Sequence, residues 1–129
     1  MLEQRILLLS GEPETRQHLT RMLGVEGETV DAVADGAAAF QLVWDAEYDV
    51  IVAELGMPGI DGRDLYMAFQ NTWPELTRRM VFFCAAPTAE LEQFLARTQA
   101  PRVRGAVGLA ELRDAVRSVR EQARPRSFA

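Results

Sequence analysis

The sequence predicts an α/β fold, a doubly wound five-stranded parallel sheet with helices on both faces, in (βα)5 order. Three observations support this prediction. Short apolar runs alternate five times with longer segments whose apolar residues recur at helical spacing. The clearest runs are apolar almost throughout, as in strands that are covered on both faces. Turn residues such as Ser10-Gly11 and Asp35-Gly36 separate the segments.

The first half of the chain contains three predicted strands. They cover residues 5–9, 29–33 and 49–53. Between the first two strands, Pro13 suits the first turn of a helix, and Gly24 marks its end. The inner residues of this helix recur at helical spacing: Leu19, Met22 and Leu23.

The next two helices are predicted from the same periodicity. The second covers residues 37–45, with Asp35 as a possible cap. Its large apolar residues are expected to face the core: Phe40, Val43 and Trp44. The third helix follows a turn-rich stretch at residues 56–62 and is expected to stop before Pro74. It carries four apolar residues: Leu65, Tyr66, Ala68 and Phe69.

The second half continues the alternation. A fourth strand is predicted over residues 79–85, and Thr88 opens a helix that bears Leu91, Phe94 and Leu95. Residues 102–104 are expected to form a weak fifth strand at the sheet edge. The last helix has a clear inner stripe: Leu109, Leu112, Val116 and Val119.

Length and composition indicate one soluble domain. The chain has 129 residues, of which 48% are apolar and 26% charged. We place the domain at residues 1–122 and expect the C-terminal tail at residues 123–129 to be disordered. No apolar run approaches the roughly 20 residues of a membrane span, and the N-terminus does not resemble a signal peptide. With Cys84 as its single cysteine, the chain is expected to be cytoplasmic.

The net charge of the chain limits the classes of partner that it can bind. The formal net charge of −5 argues against nonspecific binding of nucleic acid, which needs many cationic contacts to phosphate. All 14 basic residues are arginines, so the chain contains no lysine. We expect neither a nucleic acid nor a membrane partner. His18 stands alone in the first helix and is expected at the surface.

Candidate functional residues are sought where the strands end. In sheets of this kind, binding sites lie outside the carboxyl ends of the strands. Four stretches qualify: residues 10–13, 54–62, 84–88 and 104–107. They contain no Ser–His–Asp arrangement, no paired carboxylates and no His/Cys cluster.

These stretches resemble the receiver domains of bacterial response regulators in two-component signalling. The most specific match is residues 49–62, which end in Met57-Pro58-Gly59-Ile60-Asp61-Gly62. Residues 12–16 resemble the start of the family's first helix, and residues 34–39 resemble the entry to its second. The resemblance covers about residues 5–121 and implies the receiver fold.

The resemblance also implies where the functional positions of a receiver fall. The phosphoacceptor position falls on Glu54, where the family has aspartate. The acidic pocket that helps to hold Mg²⁺ falls on Ser10 and Gly11, followed by Glu12. The switch hydroxyl, the lysine and the aromatic switch residue correspond, in that order, to Cys84, Gly105 and Arg102.

These substitutions remove the chemistry that phosphoryl transfer needs. Mg²⁺ requires hard oxygen ligands, whereas Ser10 and Gly11 supply no charge. The chain has no lysine that could neutralise phosphoryl oxygens; Arg104 would supply charge with a different geometry. Glu54 is one methylene longer than aspartate, and a displacement of about 1 Å costs roughly 100-fold in rate. We therefore expect no catalytic residues, no cofactor, no metal site and at most weak binding of Mg²⁺.

Several residues have alternative interpretations. Glu54 either mimics the phosphorylated state or is an inert residue at a strand end. Cys84 is either a redox sensor or, more simply, a small buried residue. The last helix has an arginine stripe: Arg113, Arg117, Arg120 and Arg124. This stripe is either a solvated face near a helix C-terminus or a docking surface for an acidic partner.

The preferred interpretation is a phosphorylation-independent pseudo-receiver that acts as a protein-interaction module in phosphorelay signalling, and is not an enzyme. Its partner would be a histidine kinase, another receiver or an output protein. Receivers also commonly dimerise through the fourth helix, fifth strand and fifth helix. One alternative is a receiver still regulated through Glu54. A remote alternative is a flavodoxin-like FMN protein, although Glu12, Pro13 and Glu14 are poorly suited to cradle a phosphate.

Overall fold

The computed structural model describes residues 4–84, 88–98, 102–104 and 109–123. The strands in these ranges form one parallel sheet with the order β2-β1-β3-β4-β5. They are β1 (Arg5–Leu9), β2 (Thr29–Val33), β3 (Val50–Glu54), β4 (Met80–Cys84) and β5 (Arg102–Arg104). The predicted doubly wound α/β fold is confirmed.

Helices connect the strands and cover both faces of the sheet. They are α1 (Pro13–Leu23), α2 (Gly36–Asp45), α3 (Gly62–Thr72), α4 (Pro74–Thr77), α5 (Ala89–Thr98) and α6 (Leu109–Ala123). The short helix α4 was not predicted. Helix α6 includes Ala123, one residue beyond the predicted domain boundary, and the rest of the predicted tail lies outside the described residues. No helix in the described ranges is long and apolar enough to span a bilayer.

Two hydrophobic cores lie on opposite faces of the sheet because successive side chains of each strand point to opposite sides. One core, on the α2, α3 and α5 face, includes Leu7, Phe69 and Phe82. The other, on the α1 and α6 face, includes Ile6 and Leu112. Residues of β1, β3 and β4 contribute to both, which explains why these strands are apolar throughout.

Most predicted inner residues are buried, but Trp44 is not. Leu112, Val116 and Val119 form the buried stripe of α6; the side chain of Leu109 lies outside the described part. His18 is exposed, as expected. Trp44 was predicted to face the core, yet 63% of it is exposed. It lies in the last turn of α2 and packs against Trp73 instead, with ring centroids 5.1 Å apart.

Candidate functional site

Most of the predicted site residues meet at the carboxyl edge of the sheet. Leu9 pairs with Ala53 in the β1–β3 register, so the residues after Leu9 pass beside Glu54. Ser10 and Gly11 therefore lie next to the end of β3, and Cys84 ends the neighbouring strand β4. The sheet therefore brings together the described predicted site residues of three central strands: Ser10 and Gly11 after β1, Glu54 in β3 and Cys84 in β4.

The Glu54 carboxylate is engaged by the loop after β1. Its Oε1 atom accepts a hydrogen bond from the backbone N–H of Gly11, with a donor–acceptor distance of 3.0 Å. Glu54 is half-buried, whereas Gly11 and Glu12 are exposed. A hydrogen bond to an ionised carboxylate is stronger than one between neutral groups and fixes the carboxylate's position. The Glu54 side chain is thus fixed by a hydrogen bond to the backbone of the loop after β1.

Ser10 supplies a buried oxygen without charge. The residue is wholly buried, and its Oγ atom has no hydrogen-bond partner among the residues that the structure describes. Its carbonyl oxygen accepts a hydrogen bond from Arg16 Nη1 at 2.8 Å, and the carbonyl of Gly11 accepts from the same atom at 3.4 Å. The guanidinium of Arg16 is therefore hydrogen-bonded to two backbone carbonyls of the loop after β1. Sequence reasoning did not single out Arg16.

The Met57 side chain occupies the space beside Gly11. A Cβ atom placed on Gly11 would lie 3.6 Å from Met57 Cε and 3.8 Å from its sulfur. A side chain at position 11 would therefore point at the methionine thioether. Met57 is also partly buried against the core of the α2, α3 and α5 face. The carboxyl edge of the sheet is consequently apolar at the position where a second acidic side chain would stand.

The loop motif is held by Asp61, which is buried with 3% of its surface exposed. Its Oδ2 atom accepts from the backbone N–H of Gly56 at 2.7 Å, and Oδ1 accepts from the N–H groups of Arg63 and Asp64. Asp64 in turn accepts from the N–H of Asp61, which completes a capping box at the start of α3. Asp61 is therefore committed to shaping the loop.

Backbone conformation explains the glycines of this loop. Gly56 and Gly59 have φ values of +88° and +78°, a region that side chains with a Cβ rarely adopt. Pro58, beside Gly59, is exposed. At Gly62, an added Cβ would lie 2.8 Å from Ala53 Cβ and 3.1 Å from the Glu54 carbonyl oxygen. The motif thus presses the start of α3 against the end of β3.

Cys84 lies below this loop. It is buried, with 5% exposed, and its sulfur would lie 4.0 Å from a Cβ placed on Gly56. This burial fits the simpler interpretation of Cys84 as a small core residue. Arg102 begins β5, but its side chain lies outside the described residues, as does all of Gly105. Within the described ranges, no three His, Cys, Asp or Glu side chains are grouped to hold a metal ion.

The three described arginines of the stripe, Arg113, Arg117 and Arg120, are paired within the chain, and Arg124 lies outside the described residues. Arg113 Nη1 donates to the Met22 carbonyl at 2.6 Å, and Arg113 Nη2 lies 3.1 Å from Glu26. Arg120 lies 3.3 Å from Glu28 Oε2, and Arg117 lies 3.5 Å from Glu26. The stripe predicted as a possible partner surface therefore binds the acidic loop between α1 and β2. Its charge is largely matched inside the molecule.

The family model of the response regulator receiver domain matches residues 6–98. The chain belongs to the response regulator receiver family. Its match with TcrA, a transcriptional regulatory protein of Mycobacterium tuberculosis, is 47% identical over 58 residues and covers 45% of this chain and 23% of TcrA. Its match with PhoP, a two-component response regulator of Pseudomonas aeruginosa, is 39% identical over 61 residues and covers 47% of this chain and 27% of PhoP. The matched part of this receiver thus spans about a quarter of these relatives.

Solved structures show the same fold. The receiver domain of an HD-domain protein from Pseudomonas fluorescens Pf-5 superposes with a TM-score of 0.83 at 21% identity, covering 95% of this chain and 98% of that one. TrrA from Thermotoga maritima, solved with Mg²⁺ and BeF, gives a TM-score of 0.78 at 22% identity, covering 90% and 98%. At such identities the likeness shows the fold alone, so the chemistry must be argued from this receiver's own residues.

Proposed function

We propose that this receiver is a phosphorylation-independent protein-interaction module of two-component or phosphorelay signalling in the cytoplasm. The observation that carries the proposal is the hydrogen bond from the Gly11 N–H to the Glu54 carboxylate. This bond holds the carboxylate against a loop that offers no second carboxylate, so Glu54 lacks the partner that a Mg²⁺ site needs. The partner would be a histidine kinase, another receiver or an output protein.

The surroundings of Glu54 support the same proposal. Phosphoryl transfer is accelerated almost entirely by positioning and by neutralising oxygen charge. Ser10 and Gly11 offer no carboxylate for Mg²⁺, and Met57 fills the space beside Gly11. The chain contains no lysine to neutralise phosphoryl oxygens. We therefore expect weak or absent binding of Mg²⁺.

The second candidate is a receiver regulated at Glu54, by phosphoryl chemistry or by mimicry of the phosphorylated state. It is favoured by one observation, the carboxylate side chain that Glu54 places at the end of β3, half-buried beside the loop motif. A carboxylate has fewer oxygens and less charge than a phosphoryl group, about −1 against −1.5 to −2. We accordingly rank mimicry below simple loss of the switch.

The test is an NMR titration of the full chain with Mg²⁺ and then beryllofluoride, in which the amides of Gly11, Glu54 and Cys84 are followed. TrrA serves as the positive control because it was solved with both. We expect no saturable shift at millimolar Mg²⁺, and no phosphoryl adduct by mass spectrometry after incubation with acetyl phosphate. Saturable shifts that spread from Glu54 to α5 and α6 would overturn the proposal.

A matched variant tests whether the missing carboxylates cause the weak binding of Mg²⁺ that we expect. We expect the double substitution Gly11→Asp with Glu54→Asp to bind Mg²⁺ measurably more tightly than the natural chain, since it adds one hard ligand at position 11 and brings the existing carboxylate at position 54 to the length of aspartate. A Cβ at Gly11 makes only ordinary contact with the flexible Met57 side chain, so the fold should accept it. Glu54→Asp alone should gain little. Equal affinity in all three proteins would show that the acidic pocket is not what limits metal binding.

A further inference from the structure

An open groove lies at the amino-terminal edge of the sheet, at the opposite end from Glu54. It has a volume of about 730 Å³, in the range of roughly 300–1,000 Å³ that ligand clefts occupy. The end of α2, the end of α3 and the short helix α4 form its walls, and the starts of β3 and β4 close it below. The groove shares no residue with the Glu54 site.

Two tryptophans give the groove an aromatic wall. Trp44 is 63% exposed, which is unusual for so large an apolar side chain. It is nevertheless held in place, because its ring packs against Trp73. Trp73 in turn contacts the rings of Phe40 and Phe69, which stack with each other at 6.0 Å. The exposed ring is thus preorganised, and tryptophan is enriched among residues that dominate binding interfaces.

The groove is also acidic. Three carboxylates line it, from Asp45, Glu47 and Glu75, against one guanidinium, from Arg79. Arg79 Nη1 donates to the carbonyl oxygen of Tyr48 at 2.9 Å, which holds it at the floor. Neither Glu47 nor Glu75 forms a salt bridge with another residue in the part of the chain that the structure describes. The groove therefore presents uncompensated negative charge beside an exposed aromatic ring.

We propose that this groove docks a segment of a partner protein that presents an arginine next to an apolar side chain. The guanidinium would stack on the exposed face of Trp44 and pair with a groove carboxylate. Arginine suits both contacts better than lysine, because its planar group stacks on aromatic rings and bonds carboxylates in a fork. The apolar side chain would cover Trp73. The inference deepens the proposed interaction function and rests on it.

Charge selects this occupant over a second copy of the chain. The chain carries a net charge of −5, so the approach of a second copy to an acidic groove is disfavoured on average. Among the described residues, the arginines of α6 are already paired with Glu26 and Glu28. A basic segment from another protein is attracted to the acidic groove, and its arginines are not already paired.

The test uses the two tryptophans as reporters, since the chain has no others and both line the groove. The full chain is titrated with an acetylated, amidated peptide of alternating leucine and arginine, and the two indole N–H signals are followed by NMR. A matched peptide carries citrulline, which has the same shape without the charge. We expect saturable shifts of both indoles with the arginine peptide and binding weaker by about an order of magnitude with citrulline.

Variants locate the binding. Trp44→Ala should weaken it roughly tenfold or more, and Glu75→Gln several-fold; both residues are exposed, so the fold should persist, which the remaining amide signals verify. Val25→Ala, which changes an exposed apolar residue on the loop after α1, should have no effect. Absence of saturable shifts, or equal binding of the citrulline peptide, would overturn the proposal. So would indole shifts that depend on protein concentration without peptide, since they would indicate a second copy.

The outcomes separate this inference from the function on which it rests. The phosphodonor experiment reads Glu54, whereas the peptide titration reads Trp44 and Trp73. A receiver that is phosphorylated yet binds the arginine peptide would disprove only phosphorylation independence. A receiver that is inert at Glu54 and ignores the peptide would disprove only the groove.

Discussion

At the scale of single residues, Asp61 of the loop motif has a structural role that its hydrogen bonds define. Its carboxylate is almost fully buried and accepts hydrogen bonds from three backbone N–H groups. If the carboxylate is removed, the Gly56 N–H loses its partner and α3 loses its cap. Both losses destabilise the fold without involving any phosphoryl chemistry.

We expect Asp61→Ala to lower the free energy of unfolding by about 2–3 kcal/mol, from one lost cap and one unsatisfied N–H. Urea denaturation measures this. Asp35→Ala is the matched control, because Asp35 is an exposed cap whose one donor among the described residues is the N–H of Ala38, and it should cost about 1 kcal/mol. Equal effects of the two substitutions would contradict the role assigned to Asp61.

Tyr48 and Asp31 form a second polar unit that was not predicted from the sequence. Tyr48 donates its hydroxyl to Asp31 Oδ2 at 2.6 Å, and Arg5 lies 2.9 Å from the same oxygen. The hydrogen bond from Tyr48, together with Arg5, lowers the pKa of Asp31 below its ordinary value of 3.8. Burial and the same hydrogen bond raise the pKa of Tyr48 to about 12.

The two pKa shifts predict that the pair stabilises the fold at intermediate pH and loses this contribution at both low and high pH. Asp31 titrates lower in the folded state, so its contribution is present above pH 3.8 and is lost as the pH falls through its folded pKa. Tyr48 titrates higher in the folded state, so its contribution is present below about pH 10 and is lost as the pH rises toward 12. We expect Tyr48→Phe to cost about 1–2 kcal/mol at pH 7 and less at both extremes. Urea unfolding across pH measures it, and a cost that does not change with pH would refute the coupling.

At the scale of elements, the start of α3 is fixed by its contact with the end of β3. Gly62→Ala would place a Cβ 2.8 Å from Ala53 Cβ and 3.1 Å from a backbone carbonyl, neither of which can move freely. We expect it to destabilise the protein by about 1–3 kcal/mol, although alanine is the better helix former.

Gly24→Ala is the control for this substitution. Its Cβ would approach nothing closer than 3.4 Å, and its φ of −95° suits any residue. Thermal or urea unfolding should place its effect within about 0.5 kcal/mol. If Gly62→Ala is equally mild, α3 can shift and the contact does not fix it.

The sequence predicts most elements, and the exceptions have physical causes. The third helix stops before Pro74, as predicted, but the short helix α4 that Pro74 starts was missed, since proline suits the first turn of a new helix as well as the region after a helix end. Trp44 follows the same helical stripe as Phe40, yet it comes in the last turn of α2, where Trp73 offers an aromatic partner at the edge of the layer. Periodicity alone does not distinguish these cases.

At the scale of the whole molecule, α6 is tied to the far end of α1. Glu28, whose side chain is 5% exposed, meets Arg120 at 3.3 Å and Arg113 at 4.0 Å. We expect Glu28→Gln to cost about 1–2 kcal/mol in urea denaturation, because the largely buried Arg120 loses the carboxylate that it pairs with and Arg113 loses the more distant of its two carboxylates. Arg117→Gln is the control: Arg117 is about half exposed, so it should cost less than 0.5 kcal/mol and less still at high salt. A larger cost for Arg117→Gln than for Glu28→Gln would contradict the assignment of Glu28 as the main anchor of α6.

The long-range pairs mark the limit of sequence reasoning for the candidate site. The positions of Glu54, Ser10 and Gly11 follow from the order of strands and from the motif, so their gathering was predictable. The bond from Gly11 to Glu54 and the pairing of Arg113 with Glu26 were not, because they join residues far apart in the chain through side-chain geometry. The pattern of α6 indicated a cationic face, and only the fold showed which anions meet it.

The sheet separates the described core residues into two clusters, one on each face, and both include residues of the strands. Substitutions in separate, noncontacting groups tend to act additively. In evolutionary terms, the face with α2 and α3, which carries the groove, is free to acquire a new partner while the face with α1 and α6 preserves the scaffold. Changes that tune a binding surface on one face are therefore expected to leave the packing of the other face intact.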